Sequence, residues 1–247
     1  MRDRHAAEAP RFHLPAPLVP GAEVALGERI AQHLAVLRMR SGDALTLFNG
    51  EGGQYACTLS HAGRNAARAR VGAWRDIERE SGLDITLAQG LSAGERMDYA
   101  LQKSTELGVS RIRPVATERS VVRLSADRAE RKLAHWQAVV IAACEQCGRN
   151  RVPPVLPVVP LHALLAPDCG DELRLLPTPA AALRLRELEP AQRIVMLIGP
   201  EGGLAEQEWE DAERAGFTPV RLGPRVLRTE TAPLAAISAL QAMWGDA

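Results

Sequence analysis

The sequence predicts an α/β protein in two parts: a small β-barrel-like domain, then a larger domain built on a parallel sheet. Two observations carry this. Up to about residue 72 the chain reads as short alternating strands separated by turn chemistry. Beyond 74–82, buried-type strands alternate with helical stretches, the pattern of a parallel sheet covered on both faces. The expected domains are therefore 1–72 and 73–247, with residues 1–9 expected to be disordered.

In the first domain, 44–48 alternates as Ala-Leu-Thr-Leu-Phe, and 54–59 resumes as a strand. Asn49-Gly50 with Gly52-Gly53 between them signals a hairpin. A further short strand is expected at 67–71, and 28–38 has helical spacing with Ile30, Leu34 and Leu37 on one face. In the second domain, strands are expected at 85–89, 111–115, 173–176, 193–198 and 220–222. Helices are expected at 96–107, 127–147, 206–215 and 233–244, the first three followed by Gly108, Gly148 and Gly216 as stop signals. The proline-rich stretch 153–160 reads as an extended connector.

Composition narrows the function classes. Thirty basic residues balance thirty acidic ones, which argues against charge-driven disorder and against a strongly basic general nucleic-acid binder. Only Lys103 and Lys132 among the basic residues are lysines. Charge is uneven, however: residues 1–75 hold ten arginines against six acids, so any grip on a polyanion is expected there first. No apolar run is long enough to span a bilayer as a helix, and no charged-then-apolar leader opens the chain. Four cysteines make no disulfide scaffold, so a reducing, cytoplasmic setting is expected.

Three segments carry candidate chemistry. Leu197-Ile-Gly-Pro-Glu-Gly-Gly-Leu204 sits where a buried strand ends and a helix begins, where ligands of open α/β sheets bind. It is neither a P-loop nor a dinucleotide fingerprint, and alone it reads equally as a tight turn. Leu222-Gly-Pro-Arg-Val-Leu-Arg-Thr-Glu-Thr231 is a second such junction, with Thr231 expected to cap the following helix. Two glycine-containing turns on one sheet favour a shared ligand crevice. The third, Ala142-Ala-Cys-Glu-Gln-Cys-Gly-Arg-Asn-Arg-Val-Pro153, has a Cys-x-x-Cys but no partner pair or spaced histidines nearby. It lies at a helix end, where thiolates gain nothing, so no metal is expected and small buried residues are the reading. Nucleophile-elbow and zinc-helix motifs are absent.

Taken together and in this order, these segments resemble the RsmE family of 16S rRNA uridine-N3 methyltransferases, within the SPOUT superfamily. Gln102-Lys-Ser-Thr-Glu-Leu-Gly-Val109, Pro10-Arg11-Phe12 and Val36-Leu-Arg-Met-Arg-Ser-Gly-Asp43 extend the resemblance over nearly the whole chain. It implies a PUA-like RNA-docking domain, a trefoil-knotted α/β domain, a homodimer, and S-adenosylmethionine bound in the knot cleft. It implies methylation of N3 of a uridine in the decoding region of 16S rRNA, on the small ribosomal subunit. The alternatives are a catalytically weak assembly factor that binds rRNA, or a SPOUT enzyme with another RNA target. By motif, Ile198, Gly199, Glu201, Gly202 and Gly203 line one side of the cofactor cleft. Leu222, Gly223, Arg225, Val226, Leu227 and Arg228 line the other. The segment from Cys144 to Arg151 is expected near the dimer interface and active site. The chain departs from the family pattern at Ala205, where a Ser or Thr helix cap is usual, and at Pro233 in a first turn.

The implied reaction assigns roles. Arg228, with Arg225 second, is expected to stabilise charge developing on the uracil oxygens, and Glu201 and Glu230 are the candidate bases. Arg11, Arg38, Arg40, Arg149 and Arg151 are the candidate RNA contacts.

Overall fold

Strand β3 (Ala44–Phe48) and strand β4 (Gln54–Ala62) form the expected hairpin, with Leu45 opposite Cys57 and Leu47 opposite Tyr55. Residues 9–63, 66–120, 126–166 and 170–247 are described in this computed structural model. The expectation of disorder at the start of the chain, and Cys169, therefore fall largely or wholly outside the described residues.

The chain divides into two compact units, residues 1–80 with 144–152, and residues 81–143 with 153–247. The expected boundary at 72/73 falls inside strand β5 (Ala67–Arg75), whose pairing with β4 continues through Gln54 opposite Arg75. In the first unit, β1 (Arg11–His13) runs parallel to β3, and β2 (Glu23–Ala25) runs antiparallel to β5. The order β1-β3-β4-β5-β2 is a mixed five-stranded sheet. Helix α1 (Gly27–Val36) buries Ile30, Ala31 and Leu34 against a core that includes Phe12, Leu47, Leu59 and Val71. Leu37 is 45% exposed instead of buried, because the helix has ended before it. The chain reverses at Arg38, which takes a left-handed φ of 56°.

The second unit is a six-stranded sheet. Its strands are β6 (Asp84–Gly90), β7 (Arg111–Ala116), β8 (Val159–Pro160), β9 (Leu173–Pro177), β10 (Arg193–Ile198) and β11 (Thr218–Val220). Their order is β11-β9-β10-β6-β7-β8, and every pair is parallel. The proline-rich connector thus supplies a short edge strand. Side chains alternate between faces, so Ala88, Val195 and Leu197 share one face. That face packs against α4 (Leu161–Leu164) and α5 (Glu206–Arg214) through Leu161, Leu164, Trp209 and Ala212. Helices α2 (Gly94–Glu106) and α6 (Thr231–Trp244) pack on each other, and α6 meets β10. Helix α3 (Ala126–Cys147) joins the two units along the chain.

Helix ends follow the expected chemistry at all three stop glycines. Gly108, Gly148 and Gly216 adopt φ of 90°, 89° and 87° at the ends of α2, α3 and α5, where a side chain would be strained. Ala205 is the N-cap of α5 and has no side-chain oxygen to offer. Glu208 compensates in part: one carboxylate oxygen accepts from the Ala205 N–H at 3.0 Å and the other from the Glu118 N–H at 2.7 Å. Helix α6 begins two residues before the expected 233, with Glu230 as N-cap in place of Thr231, which is the first helical residue.

Candidate functional site

At the carboxyl edge of the parallel sheet, the loops after β6, β9, β10 and β11 gather side by side, as the strand order requires. The chain is packed there backbone on backbone. A Cβ added at Gly90 would lie 2.6 Å from Pro200 N and 2.9 Å from the Gly199 carbonyl carbon. One added at Gly199 would meet the Gly203 backbone at 3.1 Å. These glycines are needed so that the turn after β10 can fold onto itself and onto the end of β6. Thr229, nearly buried, ties the third loop in: its hydroxyl donates to Gly199 O at 2.7 Å and accepts from Gln89 Nε2 at 3.0 Å. Gln89 Nε2 lies 3.3 Å from Gly90 O, and Ser92 Oγ lies 3.3 Å from the same threonine hydroxyl. One side chain therefore joins β6, the 199–203 turn and the 222–231 segment.

The charged candidates divide by their partners. Glu201 Oε1 accepts from the Ala93 N–H at 2.9 Å and from Arg96 Nη1 at 3.1 Å. Burial pushes its carboxyl up, and these hydrogen bonds outweigh the burial and hold it below the ordinary glutamate value. Arg119 Nη1 donates to Gly202 O at 3.1 Å and braces the turn from outside. Glu201 Oε2 and Glu230 Oε2 are both buried with no hydrogen-bond partner among the described residues. Arg225 and Arg228 are exposed on the 222–231 segment.

A small open cleft lies beside this packing. It brings together five sequence-predicted residues, Leu222, Gly223, Arg225, Val226 and Leu227. Its other wall is Pro177, Thr178 and Pro179, which sequence reasoning missed. The available signal was a Pro-Thr-Pro turn directly after a buried strand. Residues 198–203 do not line this cleft. Ile198 is 4% exposed, Gly199 and Gly203 face each other, and Glu201 faces the loop after β6. They form the packed turn directly behind the cleft. Gln89, Gly90 and Thr229 were likewise not singled out, although a glycine closing an apolar strand was visible.

In the first unit, two expected RNA contacts turn inward. Arg11 donates to Asn150 Oδ1 at 2.7 Å, to Gln54 Oε1 and to Gly148 O at 3.2 Å, and its guanidinium lies 5.0 Å from the centre of the Phe48 ring. Arg149, 4% exposed, is held by both oxygens of Glu80. The segment from Cys144 to Arg151 is thus an internal clasp, with Asn150 fully buried. Burial pushes the Cys144 thiol up to about 12, which removes any thiolate chemistry near neutral pH. Arg151 is 58% exposed on its side chain but paired with Glu78 at 3.0 Å. Arg38 and Arg40 are exposed.

The role of Thr229 is directly testable. Thr229→Val keeps the shape but leaves the Gly199 carbonyl and the Gln89 amide without their partner, at a cost of about 2 kcal/mol. A lowered urea midpoint is expected, with most of the loss restored in Thr229→Ser; an unchanged midpoint in the valine variant would remove the tie.

Comparison with known proteins places this site in a family. Residues 79–241 match the RNA methyltransferase domain, and residues 26–72 match the RNA methyltransferase PUA domain. The chain is 35% identical over 212 residues to ribosomal RNA small subunit methyltransferase E of Buchnera aphidicola (subsp. Schizaphis graminum), covering 85% of this chain and 86% of that protein. It is 32% identical to the Bacillus subtilis protein of the same name, covering 87% of each. The ribosomal RNA small subunit methyltransferase E of Neisseria gonorrhoeae, solved bound to S-adenosylmethionine, superposes with a TM-score of 0.90 at 46% identity, over 97% of this chain and 99% of that one. A Legionella pneumophila structure in complex with the same cofactor gives a TM-score of 0.94 at 38% identity, over 98% and 100%. With its PUA-like mixed sheet and SPOUT-type parallel sheet, this chain belongs to the ribosomal RNA small subunit methyltransferase E family.

Proposed function

We propose that this protein transfers the methyl group of S-adenosylmethionine to N3 of a uridine in the decoding region of 16S rRNA, acting on the small ribosomal subunit in the cytoplasm. The observation that carries the proposal is the cleft between 177–179 and 222–227, at the carboxyl edge of the sheet in a member of this methyltransferase family. The cleft suits the cofactor. Proline, leucine and valine side chains offer apolar walls to a purine, and a Cβ added at Gly223 would meet only Arg225 Nη2, at 3.9 Å, so the wall there is bare backbone. The trefoil knot that the family resemblance implies belongs with this edge, where the 222–231 segment is drawn against Gly199 and Gln89.

When bound, the cofactor supplies an activated methyl on a sulfonium, and the chain has to position the uracil and move one proton. The N3 proton must leave as the N–C bond forms, and negative charge spreads over the two uracil oxygens. Arg228, exposed on the rim of the 222–231 segment, is the cation proposed to meet that charge, with Arg225 at the cleft wall beside the cofactor. Between the two candidate bases, the geometry supports Glu230. Glu201 is already engaged by Ala93 and Arg96 and held below its ordinary value, which makes it a weak base. Both carboxylates keep a buried oxygen with no hydrogen-bond partner among the described residues, so the choice of Glu230 rests on the bonds that Glu201 Oε1 already makes.

A homodimer is part of the proposal. Helix α6 presents Ala235, Ala239 and Met243 to a broad groove shared with Leu222 and Pro224, and Val226 is 84% exposed. A helix apolar on its outward side as well as its inward side is suited to a second subunit. RNA docking is assigned to the first unit, through Arg38 and Arg40, with Arg151 at its exposed edge.

The test is mass spectrometry of nucleosides from 16S rRNA after incubation of small subunits with protein and S-adenosylmethionine. Methylation at uridine N3 is expected from the wild type. Glu230→Gln should lower kcat by about 10²–10⁴-fold with cofactor affinity retained. No methylated uridine from the wild type, or methylation at another atom, would contradict the reading; full activity in Glu230→Gln would remove the base. A second prediction concerns Arg38, whose left-handed backbone costs a residue with a Cβ roughly 1–2 kcal/mol. Arg38→Gly should therefore raise the urea midpoint yet weaken RNA binding, reducing the slope of log K against log salt by about 0.7–0.9. Unchanged RNA affinity would take Arg38 out of the interface.

A further inference from the structure

The face of the parallel sheet that carries α4 and α5 is only partly covered. Helix α4 is a single turn of four residues, and the packed side chains Leu161, Leu176, Leu197 and Ala212 lie toward the carboxyl half of the strands. Nearer the amino ends, register places Arg174, Val195, Thr86 and Arg111 in one row across β9, β10, β6 and β7. Arg113, two residues along β7 from Arg111 and opposite Ala88, points to the same face. These side chains surround a pocket with about 900 Å³ of empty volume, floored by apolar groups that include Val195 and Phe217.

Among the described residues, the charges lining this pocket are not balanced internally. Arg174 is spent: it pairs with Glu172 at 2.9 Å, donates to Ala215 O at 3.2 Å, and lies 5.6 Å from the centre of the Phe217 ring. That pairing also neutralises the one carboxylate of the lining, Glu172. Arg111, 44% exposed on its side chain, makes one bond, to Asp84 at 3.1 Å. Arg113 is half-buried and makes no hydrogen bond or ion pair among the described residues. A half-desolvated guanidinium with no partner, beside a second with donors to spare, matches the fork geometry with which arginine takes an oxyanion.

We propose that this pocket is a second phosphate-binding site for RNA, held by Arg113 and Arg111. It rests on the reading of this chain as an RNA methyltransferase. The row at Thr86 is four residues from Gly90, so the pocket lies about 13 Å along the strand from the packed carboxyl edge. A backbone phosphate held there would orient the RNA without reading its sequence, on the opposite edge of the same rigid sheet.

The test is RNA binding by the full-length Arg111→Gln/Arg113→Gln variant, measured with a 16S rRNA fragment across about 50–200 mM salt. The expected result is about 5–30-fold weaker binding at the low-salt end, with the salt slope reduced by about 1–2 and S-adenosylmethionine affinity unchanged. Arg113→Lys, which keeps the charge in a milder change, should retain most of the slope. Wild-type affinity and slope in the double variant, or loss of the slope in Arg113→Lys, would overturn the site. Titration with inorganic phosphate forms a separate arm. Phosphate bound by the wild type and not by the double variant, with RNA binding equal in both, would reassign the pocket to a small ligand and overturn the proposal. Wild-type protein that binds no rRNA at all would instead fail the underlying functional reading, whatever the variants do.

Discussion

The carboxyl edge of the large sheet depends on one close approach, that of the end of β6 to the turn after β10. With Gly90 Cα against Pro200 and Gly199 folded against Gly203, no side chain fits between these backbones. The resulting surface is made of main chain, and the polar groups it buries need partners of their own. Thr229 supplies one by giving its proton to Gly199 O and accepting from Gln89. The 222–231 segment is thereby fixed at its far end, and the residues before it are left to form the cleft wall. The site's geometry is thus set by steric and hydrogen-bonding demands one layer behind the cleft, while the cleft-lining side chains themselves make few internal contacts.

The same division of labour runs through the arginines. Where a guanidinium is buried, the fold uses it: Arg149 with Glu80, Arg11 with Asn150 and the carbonyls at the end of α3, Arg174 with Glu172. Each such pair leaves its arginine little to offer a phosphate. The arginines left over include Arg38 and Arg40 in the first unit, Arg113 in the second, and Arg225 and Arg228 at the cleft.

Much of the fold was legible because its signals are local. Buried strands such as β10, turn chemistry such as 49–53, and glycines after helices each report their own surroundings. The three-residue strands β1 and β2 and the two-residue β8 escaped, since so short a stretch has no period and exists only through its partner. Leu37 was misplaced because the helix stops two residues sooner than its apolar spacing suggests. In the site, the glycine-rich turns were visible but their purpose was not. Sequence alone does not tell a glycine that admits a ligand from one that admits another backbone, and Gly199 is the latter. The pairing of individual arginines was not legible either: Glu80 and Glu78, which hold Arg149 and Arg151, lie some seventy residues away in sequence.

The account's central claim is that the cleft bounded by 177–179 and 222–227, with the packed 199–203 turn behind it, is where S-adenosylmethionine binds. Hydrogen exchange of the backbone amides, with and without the cofactor, tests this most directly. Slowed exchange is expected at Thr178 and through 222–231, weaker slowing at 199–203, and none at 111–113 on the opposite edge of the sheet. Slowing confined to residues outside the carboxyl edge, or none at saturating cofactor, would contradict it.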